Sequence, residues 1–292
     1  MNPFSAILVP LDGSALALRS LGCATWLAAR SGAQVHILNV GAPLPEAEAL
    51  EKLGVPGKYR ALLELHQVEG EAGEAIPAAV GRYKIDLIVM TARGESASEA
   101  SPDVLKIVGD VTREVIENTA VPVLLLPPAY EELLPWRSAL VPISGEAATD
   151  QALALALRLA HALDLAVTIA HVADSARAGG GGGAGARPYD EAHHEYPQML
   201  DEFVARACPM CTAEERRRIT GFHLCRGDVA QELLSLIETE RVSLLVVGWH
   251  GEFMTGHAEV LKRLLWQARC AVLLVKPQPR DIFHLKVGDA LA

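Results

Sequence analysis

The chain has 292 residues, half of them apolar, with 26 Lys plus Arg against 36 Asp plus Glu and a net charge of -10. The balance is acidic and its longest basic run is the triplet Arg216-Arg217-Arg218, so a phosphate-neutralising surface for nucleic acid is not expected. No apolar run approaches the roughly 18 residues that span a bilayer, so no membrane partner is expected. The length suggests two domains.

Ala6-Ile-Leu-Val-Pro-Leu11 is a short apolar run closed by Asp12-Gly13-Ser14. It reads as a buried strand feeding a turn. Ser14 is placed to cap the next helix, in which Ala17, Leu21, Ala24 and Ala28 recur on one face. Ser31-Gly32 stops that helix. Gln34 to Val40 is the second strand and Leu63 to Val68 the third, with a polar, partly helical segment from Pro43 to Leu65. A helix opens after Gly70 and runs to about Tyr83. Asp86-Leu-Ile-Val-Met-Thr-Ala-Arg-Gly94 is a buried strand with a phosphate-type loop, followed by Gly109-Asp110, a helix and the strand Val121 to Leu126. Strands alternating with helices predict a parallel sheet covered on both faces.

The pattern then repeats. Leu8-Val-Pro10 matches Leu140-Val-Pro142 at an offset of 132, as do Leu21, Ala24 and Ala28 with Leu153, Ala156 and Ala160. Gly70 matches Gly227 and Gly94 matches Gly251 at an offset of 157, so the second copy carries 25 more residues between Val172 and Gly227. They include the Gly-rich run Ala178 to Ala186, read as a surface loop. Val121 faces Cys270 at an offset of 149. Residues 1–130 and 136–277 are therefore expected as two domains, with an insertion at about 177–200 and a tail at 278–292.

Val9-Pro-Leu-Asp-Gly-Ser14 and a later strand-Gly-x-x-Gly, spacer, Gly-Ser/Thr and helix are the pattern of the universal stress protein family. The chain resembles a tandem member over roughly Ser5 to Pro127 and Arg137 to Pro277. The resemblance implies an α/β fold of two tandem doubly wound five-stranded parallel sheets, adenine nucleotide alpha hydrolase-like, in strand order 3-2-1-4-5. It implies that Val121 to Leu126 and Val272 to Val275 pair as edges in an intramolecular pseudo-dimer. It also implies ATP as the ligand of some members. In such a site the strand-1 carboxylate bonds the base, and glycines and a helix N-terminus hold the phosphates.

The first copy matches that site at Pro10, Asp12, Val40, Arg93, Gly94 and Gly109. It departs where Thr91 replaces the first motif glycine and Asp110 the hydroxyl residue. The second copy has Gly248 and Gly251 with His250 between them, but Ser144 replaces the Asp and Ala258-Glu259 the Gly-Ser/Thr. Asp110 and Glu259 would then serve as the negative charge at a helix's positive end.

Cys208-Pro-Met-Cys211 precedes His223 and Cys225. This spacing suits zinc or a redox pair, with His193 and His194 in reserve. Cys23 and Cys270 read as buried thiols. With an odd count of five cysteines and no basic-then-apolar leader, a reducing cytoplasm is expected. His66 and His223 take equivalent third-strand positions, which suggests a shared structural role. Glu64 belongs to a local acidic patch read as solvated surface. Three functions follow. The first is a non-catalytic stress-response protein with two degenerate nucleotide sites and an unidentified protein partner. The second is an ATP- or AMP-binding switch in the first copy with weak ATPase at most. The third is a zinc or thiol site near the inserted segment. Monomer and homodimer of the whole chain both stay open.

Overall fold

Runs such as Ile7, Leu8 and Val9, none of them exposed, belong in a sheet buried on both faces. The computed structural model describes residues 3–93, 108–131, 134–144, 147–174, 204–205, 208–209, 211–249 and 258–277. The first half runs β1 (Ala6–Pro10), α1 (Ala15–Ser31), β2 (Gln34–Val40), α2 (Glu46–Lys52), α3 (Gly57–Arg60), β3 (Leu63–Val68), α4 (Ala72–Arg82), β4 (Leu87–Thr91), α5 (Asp110–Asn118) and β5 (Val123–Leu126). The second half follows as β6 (Ser138–Pro142), α6 (Ala147–Leu163), β7 (Ala166–Asp174), α7 (Ala213–Arg216), β8 (Ile219–Gly227), α8 (Val229–Thr239), β9 (Leu244–Gly248), α9 (Ala258–Gln267) and β10 (Ala271–Val275). The Gly-rich run lies outside the described residues.

Local signals set the boundaries. Ser14 Oγ accepts the Ala17 N–H at 3.1 Å and so caps α1. At its other end Gly32 takes φ 70°, the left-handed conformation that closes a helix with little strain in glycine. Along β1 the side chains alternate between layers. Ile7 and Val9 join the core that also holds Leu21 and Leu27 of α1, while Leu8 joins the core that holds Ile76 of α4 and Ile116 of α5.

All ten strands form one sheet, in the order β3-β2-β1-β4-β5-β10-β9-β6-β7-β8. Each half thus has the order 3-2-1-4-5, and the repeat holds at the level of register. Pro10 pairs with Leu38 in the first half, and Pro142 with Ala170 in the second. The halves meet where β5 and β10 pair antiparallel, with Val272 opposite Leu125, Leu273 opposite Leu124, and Leu274 opposite Val123. Leu124 and Leu273 are repeat equivalents that face each other, so a local two-fold axis passes between them. An isologous contact has this self-complementary form. Lys276 fastens the same seam from the side, donating from Nζ to the Glu117 carbonyl of α5 at 2.8 Å. One core layer crosses the seam on the side of α1 and α6, where the Trp26 and Trp136 rings lie 5.1 Å apart. No helix among the described residues is long and apolar enough to cross a membrane.

Candidate functional site

Open parallel sheets leave a crevice at the carboxyl ends of their strands where the strand order reverses. In the first half that point lies between β1 and β4. A cleft of about 560 Å³ opens there, lined by Pro10, Asp12, Val40, Thr91, Arg93, Gly109, Asp110 and Thr112 among others. Its floor is apolar, with Leu38, Ile76 and Met90. Every first-copy residue named from the resemblance lies here except Gly94, which is outside the described residues.

Each polar group at the rim is held by its own segment. Asp12 Oδ1 accepts the Ser14 N–H at 2.9 Å, which fixes the carboxylate at the mouth just past β1. Gly13 follows at φ +87°, and an added Cβ there would sit 3.2 Å from the Lys52 carbonyl oxygen. Asn39 Nδ2 donates to the Leu11 carbonyl at 3.0 Å and ties the same turn to β2. Gly109 is the N-cap of α5, and its N–H donates to the Ala92 carbonyl at 3.1 Å. That donor holds the loop rather than facing a ligand. The first turn of α5, Asp110 to Thr112, lines the cleft. First-turn N–H groups have no partner within their own helix. Asp110 lies 3.6 Å from the Arg113 guanidinium, and Thr112 Oγ1 donates to the Thr91 carbonyl at 3.2 Å. Arg93 stretches toward the second half, its guanidinium 5.7 Å from the ring centre of Trp266 on α9.

The second half treats the same point differently. Gly248 replaces Thr91 at the strand end, and a Cβ on it would lie 2.4 Å from the Ala148 carbonyl carbon and oxygen. The first turn of α6 therefore presses against the β9 backbone. Gly248 was expected to admit a phosphate; it admits a helix. His250 and Gly251 lie outside the described residues. A further cavity, of about 460 Å³, lies at the opposite, N-terminal edge of β6 to β8 and includes Arg30, Arg137, Arg217 and Arg218.

The family model for the universal stress protein family matches residues 60–127 and 135–276. The chain belongs to this family. A universal stress protein from Archaeoglobus fulgidus DSM 4304 superposes at TM-score 0.68 with 16% identity, covering 95% of this chain and 98% of that one. A functionally unknown protein from Pseudomonas aeruginosa PAO1 does so at TM-score 0.64 with 15% identity, covering 94% and 93%. At such identities these likenesses show the universal stress fold over the whole tandem length. No curated protein matches the chain.

The four-residue set Cys208, Cys211, His223 and Cys225 is not brought together. Cys208 and Cys211 form a disulfide with Cα atoms 5.3 Å apart, buried in the core layer of α1 and α6. His223 faces α8 instead, paired with Glu240 at that helix's end. Cys225 shares the strand parity of His223, with Val172 beside it, and so lies on the α8 side; burial raises its thiol pKa, with Glu232 and Glu240 adding to it. The sheet separates the two pairs. Cys23 and Cys270 are buried thiols as expected, and burial pushes Cys270 up to about 12.

One constellation was not foreseen. Among the described residues, His36, Glu64 and His66 are the group of His, Cys, Asp or Glu whose ligand atoms all lie within 4.8 Å of one another. His66 and His223 occupy equivalent places yet have different partners, so the expected shared role does not describe them. Comparing the copies position by position would have exposed the difference. His36 and Glu64 correspond to Thr168 and Gly221 in the second copy.

Proposed function

We propose that the chain is a non-catalytic regulatory member of the universal stress family that binds an adenine nucleotide in its first half alone. The cleft at the ends of β1 and β4 is the observation that carries this reading. Its volume falls in the range of small-ligand sites, and it combines an apolar floor with a few placed polar groups. Asp12 is positioned to accept from an exocyclic amine, with Val40 and Pro10 as apolar walls. The free N–H groups at the start of α5 and the Arg93 guanidinium suit a phosphate.

Asp110 sets a preference among nucleotides. Its carboxylate stands at the helix end where an outer phosphate of ATP would sit. Asp110 is exposed and stands beside Arg113, so its repulsion of an added phosphate a few ångströms away is of the solvent-screened size, about 1 kcal/mol. The cleft should therefore favour AMP over ATP. Calorimetric titration of the full chain with AMP and with ATP tests this. AMP should bind, Asp12→Ala should weaken it at least about tenfold, and Asp110→Ser should tighten ATP more than AMP. Absence of binding by both nucleotides would leave partner docking by a ligand-free scaffold as the function.

A further inference from the structure

Three side chains that do not line the cleft converge on one point at the outer edge of the sheet. His36 lies on β2, with Glu64 and His66 on the edge strand β3. Parallel pairing sets His36 beside Glu64, and Leu38 beside His66. Their parity puts all three on the face that α4 covers. The spacing of the ligand atoms is specific. His36 Nδ1 and His66 Nε2 are 3.0 Å apart. The Glu64 carboxylate places Oε2 3.6 Å from the first and Oε1 3.7 Å from the second.

A tetrahedral zinc ion with bonds of about 2.0–2.2 Å holds its ligands roughly 3.3–3.6 Å apart. Without an ion the two imidazole nitrogens are at hydrogen-bond distance, and each has a different oxygen of the one carboxylate within 3.7 Å, so small side-chain rotations bring all three residues to that edge length. The surroundings suit the same purpose. The imidazoles are almost buried, while Glu64 is half exposed, so the point is closed behind and open to solvent in front. Gln34 Nε2 donates to Glu64 Oε2 at 2.8 Å and orients the carboxylate, as partners behind metal ligands do. Tyr83, at the end of α4, stacks on His66 with ring centres 3.6 Å apart and locks that ring in place.

The fold does not require the cluster. In the second half the same positions are Thr168, Gly221 and His223, with Thr168 beside Gly221 and Ala170 beside His223. That half builds the same sheet edge with a lone histidine paired to Glu240. The first half therefore carries a cluster that the shared strand pairing does not dictate.

We propose that His36, Glu64 and His66 bind a divalent late transition metal, zinc being the reference ion, with solvent completing its coordination. Two imidazoles and a carboxylate favour this class over calcium or magnesium, which prefer all-oxygen shells. The bound ion clamps the edge strand β3 to β2.

The test uses the full chain stripped with a chelator, then titrated with zinc by calorimetry and with cobalt by visible absorption. One equivalent should bind, with a cobalt spectrum of nitrogen and oxygen ligands and an upward shift of the melting temperature. Glu64→Gln and His66→Asn should each weaken zinc at least about tenfold, the scale at which even supporting residues act. His223→Asn should leave affinity unchanged. Glu64 is half exposed, so its variant should keep the circular dichroism and metal-free melting temperature of the parent. That variant decides the matter if His66→Asn fails to fold. A stripped parent that binds no zinc, affinity that survives Glu64→Gln, or a thiolate-to-cobalt band pointing to the cysteines overturns the proposal.

Discussion

In the first half Thr91 ends β4 beside an open cleft; in the second Gly248 ends β9 with the first turn of α6 against its backbone. The two points are equivalent in register, since Thr91 pairs with Leu126 and Gly248 with Val275. Strand pairing is thus conserved between halves while the space above the strand ends is not. A sheet buried on both faces fixes its strands strongly. The loops and helix starts at its carboxyl edge carry fewer constraints and can be refitted one by one.

The seam offers the most severe way to probe that likeness. Leu124 and Leu273 are both buried and face each other across it. Leu124→Ala and Leu273→Ala should each cost about 2–5 kcal/mol in urea denaturation. If the two-fold relation holds in packing as it does in register, the costs should agree closely. A clear inequality would show that the halves meet asymmetrically.

Next comes the strand end itself. Gly248→Thr would give the second half the residue of the first. Its Cβ would overlap the Ala148 backbone, and an overpacked site of this sort costs about 1–3 kcal/mol. Thr91→Gly, the reverse exchange, should cost less, because Thr91 borders a cavity. Equal effects on the denaturation midpoint would remove the distinction between a strand end that borders a cavity and one that abuts a helix.

A smaller contrast lies at the starts of α4 and α8. Asp228 caps α8, accepting the Gln231 N–H at 2.8 Å, and also pairs with Arg263. Its counterpart Glu71 makes no side-chain cap bond. Asp228→Ala should cost about 1 kcal/mol and Glu71→Ala close to nothing. The first cost should depend on pH. The Gln231 N–H, and then Arg263, hold the Asp228 carboxyl below its ordinary range. Its folded pKa thus lies below the unfolded value of about 3.9. The stabilisation is present above that value and is lost as the pH falls through the folded one. Stability of parent and variant measured across that window should converge at the acid end.

Much of this architecture was legible in the sequence. The segments Gln34 to Val40 and Leu63 to Val68, read as the second and third strands, are strands at those residues, and the offsets of 132, 157 and 149 reappear as strand register. The cleft was legible through motif residues, because Asp12 and Gly109 sit at strand and helix ends that any such sheet brings together. Other features depended on contacts no spacing encodes. The role of Gly248 follows from how closely α6 approaches β9. Parity put His223 and Cys225 on one face of a strand but could not say that Cys208 and Cys211 pack in the opposite layer. His36 and His66 are 30 residues apart and meet only through the β2–β3 pairing.

The axis between Leu124 and Leu273 has a consequence for how such a molecule can specialise. In a homodimer every substitution appears twice, so closing one pocket closes its twin and adding one ligand set adds two. Covalent linkage lifts that constraint. Each half here meets a partner of different sequence across the seam, at a fixed ratio and at any dilution. One half can then keep a cleft and gain a histidine cluster while the other brings a helix against its strand end, and the pairing that holds both together is untouched.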